Sequence, residues 1–127
     1  FYPTVESYQR ATGQPWTTAA ATEGHDIQVL PLSLLERRGT LESTIRHEFV
    51  HLLTMSALAG RPLWVAEGVA SYFAGESGEA RSISGTCPTD REMTRPTSAD
   101  GLRSAYQRAA ACVLREIDAG RSWREIR

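Results

Sequence analysis

The chain is 127 residues long, with 14 basic and 15 acidic side chains, a net charge of −1 and 41% apolar residues. That length suits one domain with a single core. The near-zero charge gives no electrostatic basis for binding nucleic acid or an anionic membrane, and no apolar run is long enough for membrane insertion. Every basic residue is arginine and the arginines are scattered, a composition bias rather than a binding surface. The sequence opens at Phe1 rather than Met, as expected of a processed product or excised domain from which any signal peptide has gone.

In chain order, residues 4–12 predict a helix with Val5 and Tyr8 on one side and Gly13 as its stop. Residues 16–22 and 26–30 predict two strands around a Glu23-Gly24-His25 turn. His25, alone in a turn, reads as a solvated residue rather than a ligand. Ser33-Leu34-Leu35-Glu36 has capping-box spacing, so a short helix is expected over residues 34–38, ending at Gly39. Thr40 then caps a long helix over residues 41–58. Its Ile45, Phe49, Leu52 and Met55 recur at helical spacing and predict a face buried against the core. Gly60 and the following Arg61-Pro62 stop it.

A second helix follows over residues 62–73. Residues 75–85 are polar and glycine-containing and read as a loop. Thr89-Asp90-Arg91-Glu92 caps a short helical turn, and residues 94–99 are irregular around Pro96. Residues 100–119 form a strong helix with Leu102, Tyr106, Ala109 or Ala110, Val113 and Ile117 on one broad face. Ser122 to Glu125 cap a last short helix. Cys87 and Cys112 lack the spacing of a redox or metal motif. A disulfide between them, worth on the order of 3 kcal/mol, would point to an exported or cell-envelope protein. The alternative is two free thiols, with Cys112 filling a helix face, in a cytoplasmic chain.

The chemistry concentrates in His47-Glu48-Phe49-Val50-His51. Positions i and i+4 share one face of a helix, so His47 and His51 can offer two imidazole nitrogens to one metal ion. Glu48 beside them is offset from ligation and near enough to act as a general base. Glu67 lies on the next helix, with fifteen residues between it and His51. The turn at residues 60–62 folds that helix back, which brings its carboxylate to the open side of the histidines. Two histidines and one glutamate leave a fourth position open, the pattern of a catalytic zinc site rather than a closed structural one.

His47-Glu48-x-x-His51 followed by Leu63-Trp64-Val65-Ala66-Glu67-Gly68-Val69-Ala70-x-Tyr72 resembles the gluzincin zinc metallopeptidases, nearest to the aminopeptidase-type branch and the minimal bacterial peptidase MA-like domains. The similarity spans about residues 13–119. It implies an α+β, zincin-like fold. A small N-terminal sheet with an edge strand packs on the metal-binding helix, and a helical C-terminal half carries the third ligand, with the division near residues 59 and 60 of one domain. It implies one Zn2+ on His47, His51 and Glu67, Glu48 as general base, and hydrolysis of a peptide or protein substrate. The stretch from Ser104 to Leu114 is similar to the aminopeptidase helix whose tyrosine holds the oxyanion, which makes Tyr106 the candidate for that role. On its own spacing, Tyr106 reads as a core residue. By the same resemblance the strand over residues 16–22 borders the cleft and pairs with extended substrate.

The chain also departs from related patterns. Thr54 and Ala57 stand where a metzincin has Gly and His. Ser71 stands where a thermolysin-like enzyme has a histidine-orienting aspartate. The Gly-Ala-Met-Glu-Asn string of the aminopeptidases is missing, so their specificity does not carry over. The alternative function is a zinc-binding, non-catalytic scaffold within a larger protein, and beyond it a metal-free helical domain.

Overall fold

Thr4 opens the first helix, α1 (Val5–Thr12). Its hydroxyl accepts the Ser7 N–H at 3.1 Å while the Ser7 hydroxyl accepts the Thr4 N–H at 3.2 Å, so two otherwise orphaned donors are satisfied. The structure is a computed structural model and describes residues 1–16 and 18–127. After α1 comes an antiparallel hairpin of β1 (Ala20–Glu23) and β2 (Asp26–Val29), with Ala20 opposite Val29 and Glu23 opposite Asp26. A two-residue Gly24-His25 turn therefore joins them. Beyond the ladder, the Leu30 N–H donates to the Ala19 carbonyl and the Tyr2 N–H to the Val29 carbonyl.

The first strand is shorter than the sequence predicts. The Thr18 N–H donates to the Pro15 carbonyl at 2.9 Å, and the ladder begins at Ala20. Residue 17 of the expected strand lies outside the described residues.

Helix α2 (Leu32–Arg38) starts two residues before the predicted position, and the Ser33 capping box does not form. The Pro31 carbonyl accepts from both Leu34 and Leu35 N–H and begins the helix instead. Pro31 is therefore the N-cap, and its lack of an N–H costs nothing just before a helix.

Helix α3 (Leu41–Thr54) starts where expected, though without a side-chain bond from Thr40, and ends four residues early. The Thr54 hydroxyl donates to the Val50 carbonyl at 2.7 Å, a local contact that competes with helix continuation. The turns that follow then bury Leu58. The predicted buried stripe on α3 is also corrected. Ile45 packs against the hairpin, but Phe49 is 52% and Met55 42% exposed. Fourteen helical residues run about 21 Å, and four-residue strands only about 13 Å. The hairpin is too short to cover the far end of the stripe.

The C-terminal half is helical: α4 (Leu63–Ala74), α5 (Asp90–Thr94) and α6 (Ala99–Asp118). The predicted Thr89 capping box forms on α5. Within the expected loop, residues Gly78–Ser82 make a 3-10 turn because Ala80 buries against Ala110, Ala111 and Leu114 of α6. A last 3-10 turn, Trp123–Glu125, precedes the C-terminus. Cys87 and Cys112 form a disulfide, with Cα atoms 5.7 Å apart, which ties the segment before α5 to α6. It closes a loop of 25 residues and contributes about 3 kcal/mol by restricting the unfolded chain.

The described residues thus form an α+β protein, mostly helical, with one small antiparallel sheet. The two largest core clusters among the described residues are Tyr8, Val29, Leu30 and Leu35 under the hairpin, and Trp64, Val65, Val69, Ala109 and Val113 between α4 and α6. Helix α3 lies between them, contributing Ile45 to the first and Val50 to the second. Among the described residues, no helix is long and apolar enough to cross a membrane.

Candidate metal centre

The face of α3 toward α4 carries His47 and His51, whose ring centroids are 4.9 Å apart at 72°. Glu67, in the second turn of α4, lies against both. Its Oε2 is 3.2 Å from His47 Nε2 and 3.4 Å from His51 Nε2. The three side chains form a group that can bind a metal ion, with ligand atoms all within 4.8 Å of one another. All three are partly shielded, at 14%, 17% and 21% side-chain exposure. His25 takes no part in this group.

Glu48, the residue after His47, meets the hairpin. It is 7% exposed, and its carboxylate accepts the Thr22 hydroxyl of β1 at 2.5 Å. Burying a carboxylate is costly unless it is hydrogen-bonded, and the Thr22 hydroxyl offsets part of that cost. Thr22 carries a further consequence. In an antiparallel ladder, bonded and non-bonded pairs alternate. The Leu30–Ala19 bond sets the phase, so the backbone groups of Ala20 and Thr22 face away from β2, toward the outer edge of β1.

Tyr106 does not sit in the core. It is 38% exposed, while Ala105, Ala109 and Val113 occupy the buried face of α6. Its side chain lies within electrostatic reach of the centre. Burial, then the carboxylates of Glu67 and Glu48, raises its hydroxyl above the ordinary tyrosine value. It therefore stays protonated, a hydrogen-bond donor, at neutral pH.

Two partners are absent from the sequence prediction, Glu76 and Thr22. The carboxylate that meets the outer nitrogen of a histidine comes from Glu76, beyond the end of α4, and not from position 71; its Oε2 is 2.9 Å from His47 Nδ1. The signal in the sequence is faint: Gly75, a helix-stop residue, precedes an acid in a stretch that otherwise reads as loop. Thr22 was similarly hidden, as one of several threonines in a strand.

These contacts set the charge state without metal. Burial alone disfavours a charged His47, but hydrogen bonds to Glu67 and Glu76 outweigh it and raise the pKa to about 10. Glu67 is likewise buried, yet hydrogen bonds from His47 and His51 pull it well below the usual carboxylate range. Because the folded His47 pKa lies above the ordinary 6.5, protonation stabilises the metal-free fold fully below that value. The contribution fades as pH rises through about 10. A metal requires the unprotonated nitrogen, so binding expels this proton. Apparent metal affinity is therefore expected to rise about tenfold per pH unit between roughly pH 7 and 9, as read by competition against a chromophoric chelator. A flat profile would show that His47 carries no proton to displace.

Comparison with known proteins finds no family model, no curated protein and no solved structure that matches the chain.

Proposed function

We propose that the chain is a zinc-dependent peptidase with a zincin-like fold and a gluzincin-type His47, His51, Glu67 ligand set. The observation that carries this reading is the spacing of the three ligand atoms. Zinc bonds of about 2.0–2.1 Å in tetrahedral geometry put neighbouring ligand atoms roughly 3.3–3.4 Å apart. The two nitrogen–oxygen separations here are 3.2 and 3.4 Å, and the two histidine nitrogens lie within 4.8 Å of each other. Imidazole nitrogen and carboxylate oxygen are also the donors that zinc accepts in hydrolytic sites.

Bound in this group, zinc would supply a Lewis acid that polarises a scissile carbonyl and acidifies a water molecule. The chain's own residues divide the remaining work. Glu48 takes the proton of the attacking water and returns it to the departing amine. The Thr22 hydroxyl holds the Glu48 carboxylate in one orientation throughout. Tyr106, held protonated, donates to the oxyanion as it develops. The outward-facing backbone groups of Ala20 and Thr22 pair with an extended peptide, a mode that tolerates many side chains. The Cys87–Cys112 disulfide supports an exported or cell-envelope setting, since such bonds persist in oxidising compartments.

Elemental analysis of wild-type and Glu67→Ala protein, paired with hydrolysis of a peptide library, tests the proposal. About one zinc per chain is expected in the wild type. Affinity should fall at least about a hundredfold in the variant, one ligand's share of a structural zinc site's binding energy. A wild type that takes up no zinc after reconstitution would overturn the reading. Zinc with no cleavage of any library member would leave a scaffold.

A further inference from the structure

We propose that Glu76 is a positioning residue for this centre, fixing the tautomer and ring orientation of His47 from outside the ligand set. The inference rests on the reading that His47 binds a metal ion.

The two ring nitrogens of His47 face two different carboxylates. Nε2 lies 3.2 Å from Glu67, on the side where the three ligand atoms converge, and Nδ1 lies 2.9 Å from Glu76. A carboxylate only accepts, so Nδ1 must carry its proton to hold the Glu76 contact. In the neutral ring that leaves the Nε2 lone pair free and aimed at the centre, the state a metal ligand needs. The ring is also pinned at both edges. Turning it would break the Glu76 bond, and with a metal ion on Nε2 the ring's one proton has to sit on Nδ1, where Glu76 accepts it.

The backbone delivers Glu76 to this place. Helix α4 ends at Gly75, whose φ of 79° is a left-handed value that glycine adopts without a Cβ penalty. The Glu76 N–H turns back to the Ser71 carbonyl at 2.9 Å, and the Gly75 N–H to Tyr72 at 3.2 Å. This six-to-one closure reverses the chain, so the side chain after the stop returns along α4 toward α3. The same helix therefore presents both a ligand, Glu67, and the group that orients another ligand. The Glu76 carboxylate is one-third exposed, against 14% for His47, so the bond is less screened than a surface ion pair.

Metal dissociation is the readout, because the metal-free His47 proton also draws on Glu76 and obscures equilibrium affinity. Wild-type, Glu76→Gln and Glu79→Gln proteins are loaded with Zn2+, and metal loss to excess chelator is timed. A parallel set loaded with Co2+ reports ligand geometry through its visible absorption. Glutamine keeps the size and an acceptor oxygen but loses the charge. Glu79, an exposed acid in the following turn, controls for a general charge effect.

Zinc loss is expected to be about 10- to 100-fold faster from Glu76→Gln, with an altered Co2+ spectrum and unchanged behaviour of Glu79→Gln. Loss from Glu76→Gln within twofold of the wild type would overturn this inference alone and leave the ligand set standing. Equal acceleration by Glu79→Gln would overturn it as well. A wild type that holds neither metal would overturn both this inference and the proposed function. Since Glu76 is exposed as a residue, the substitution leaves the core untouched; Glu76→Ala serves as a second variant with the same expected direction.

Discussion

Under the proposed function, Glu48→Gln is expected to bind zinc as the wild type does and to lower peptide hydrolysis by about three to four orders of magnitude, near the upper end of what a general base contributes. The size of the loss follows from the surroundings. Glu48 is almost fully buried and is held by the Thr22 hydroxyl at 2.5 Å. A glutamine oxygen can accept that same hydrogen bond, so the side chain keeps its place and the hairpin keeps its packing. Only the capacity to take a proton is lost. Glu48 is outside the metal-ligating group, so zinc content should match the wild type by elemental analysis. Hydrolysis above about a tenth of the wild-type rate would remove Glu48 from the role of base. Loss of zinc together with activity would instead mean that the carboxylate supports the ligands.

Gly68→Ala is expected to destabilise the fold by about 2–3 kcal/mol, although alanine is the better helix former by about 1 kcal/mol. A Cβ at this position would lie 2.5 Å from the Ala109 carbonyl oxygen and 2.5 Å from Val113 Cγ2. The carbonyl is fixed within α6, and Val113 is fully buried and β-branched, so neither can give way by itself. The two helices must separate where α4 meets α6. For a chain of this size, thermal unfolding should move down by about 10 °C. Tyr106 lies one turn before Ala109 on α6, and Glu67 is the neighbour of Gly68. Turnover per folded molecule should therefore fall along with stability. An unchanged unfolding temperature would show that α4 and α6 do not approach this closely at Gly68.

Much of the local structure was legible because short-range rules decide it. Thr89 and Glu92 sit at the spacing that satisfies the first amides of α5, and the cap forms as read. His47 and His51 share a face because a helix turns once in about 3.6 residues, and a break at residues 60–62 brings Glu67 back to them. The errors arise where a competing local signal or a longer-range contact outweighs the rule applied. Pro31 started α2 before Ser33 could cap it. The apolar stripe of α3 was read as a buried face, but burial depends on what lies opposite, and the two short strands do not reach Phe49 or Met55. Tyr106 had two readings, core by its helical spacing and oxyanion donor by resemblance, and only the packing of α6 put its side chain within electrostatic reach of Glu67 and Glu48 rather than in the core.

By itself, the sequence placed most of the helices, the hairpin turn and the three residues of the metal-capable group. All of these depend on spacings within a few turns of one chain segment or across one tight turn. The tertiary structure decided which partners those groups meet. It brought Thr22 to Glu48 across 26 residues, Glu76 to His47 across 29 and Cys87 to Cys112 across 25. Such pairings depend on how whole elements pack and where each one stops, and no local periodicity encodes the distance between two side chains on different elements.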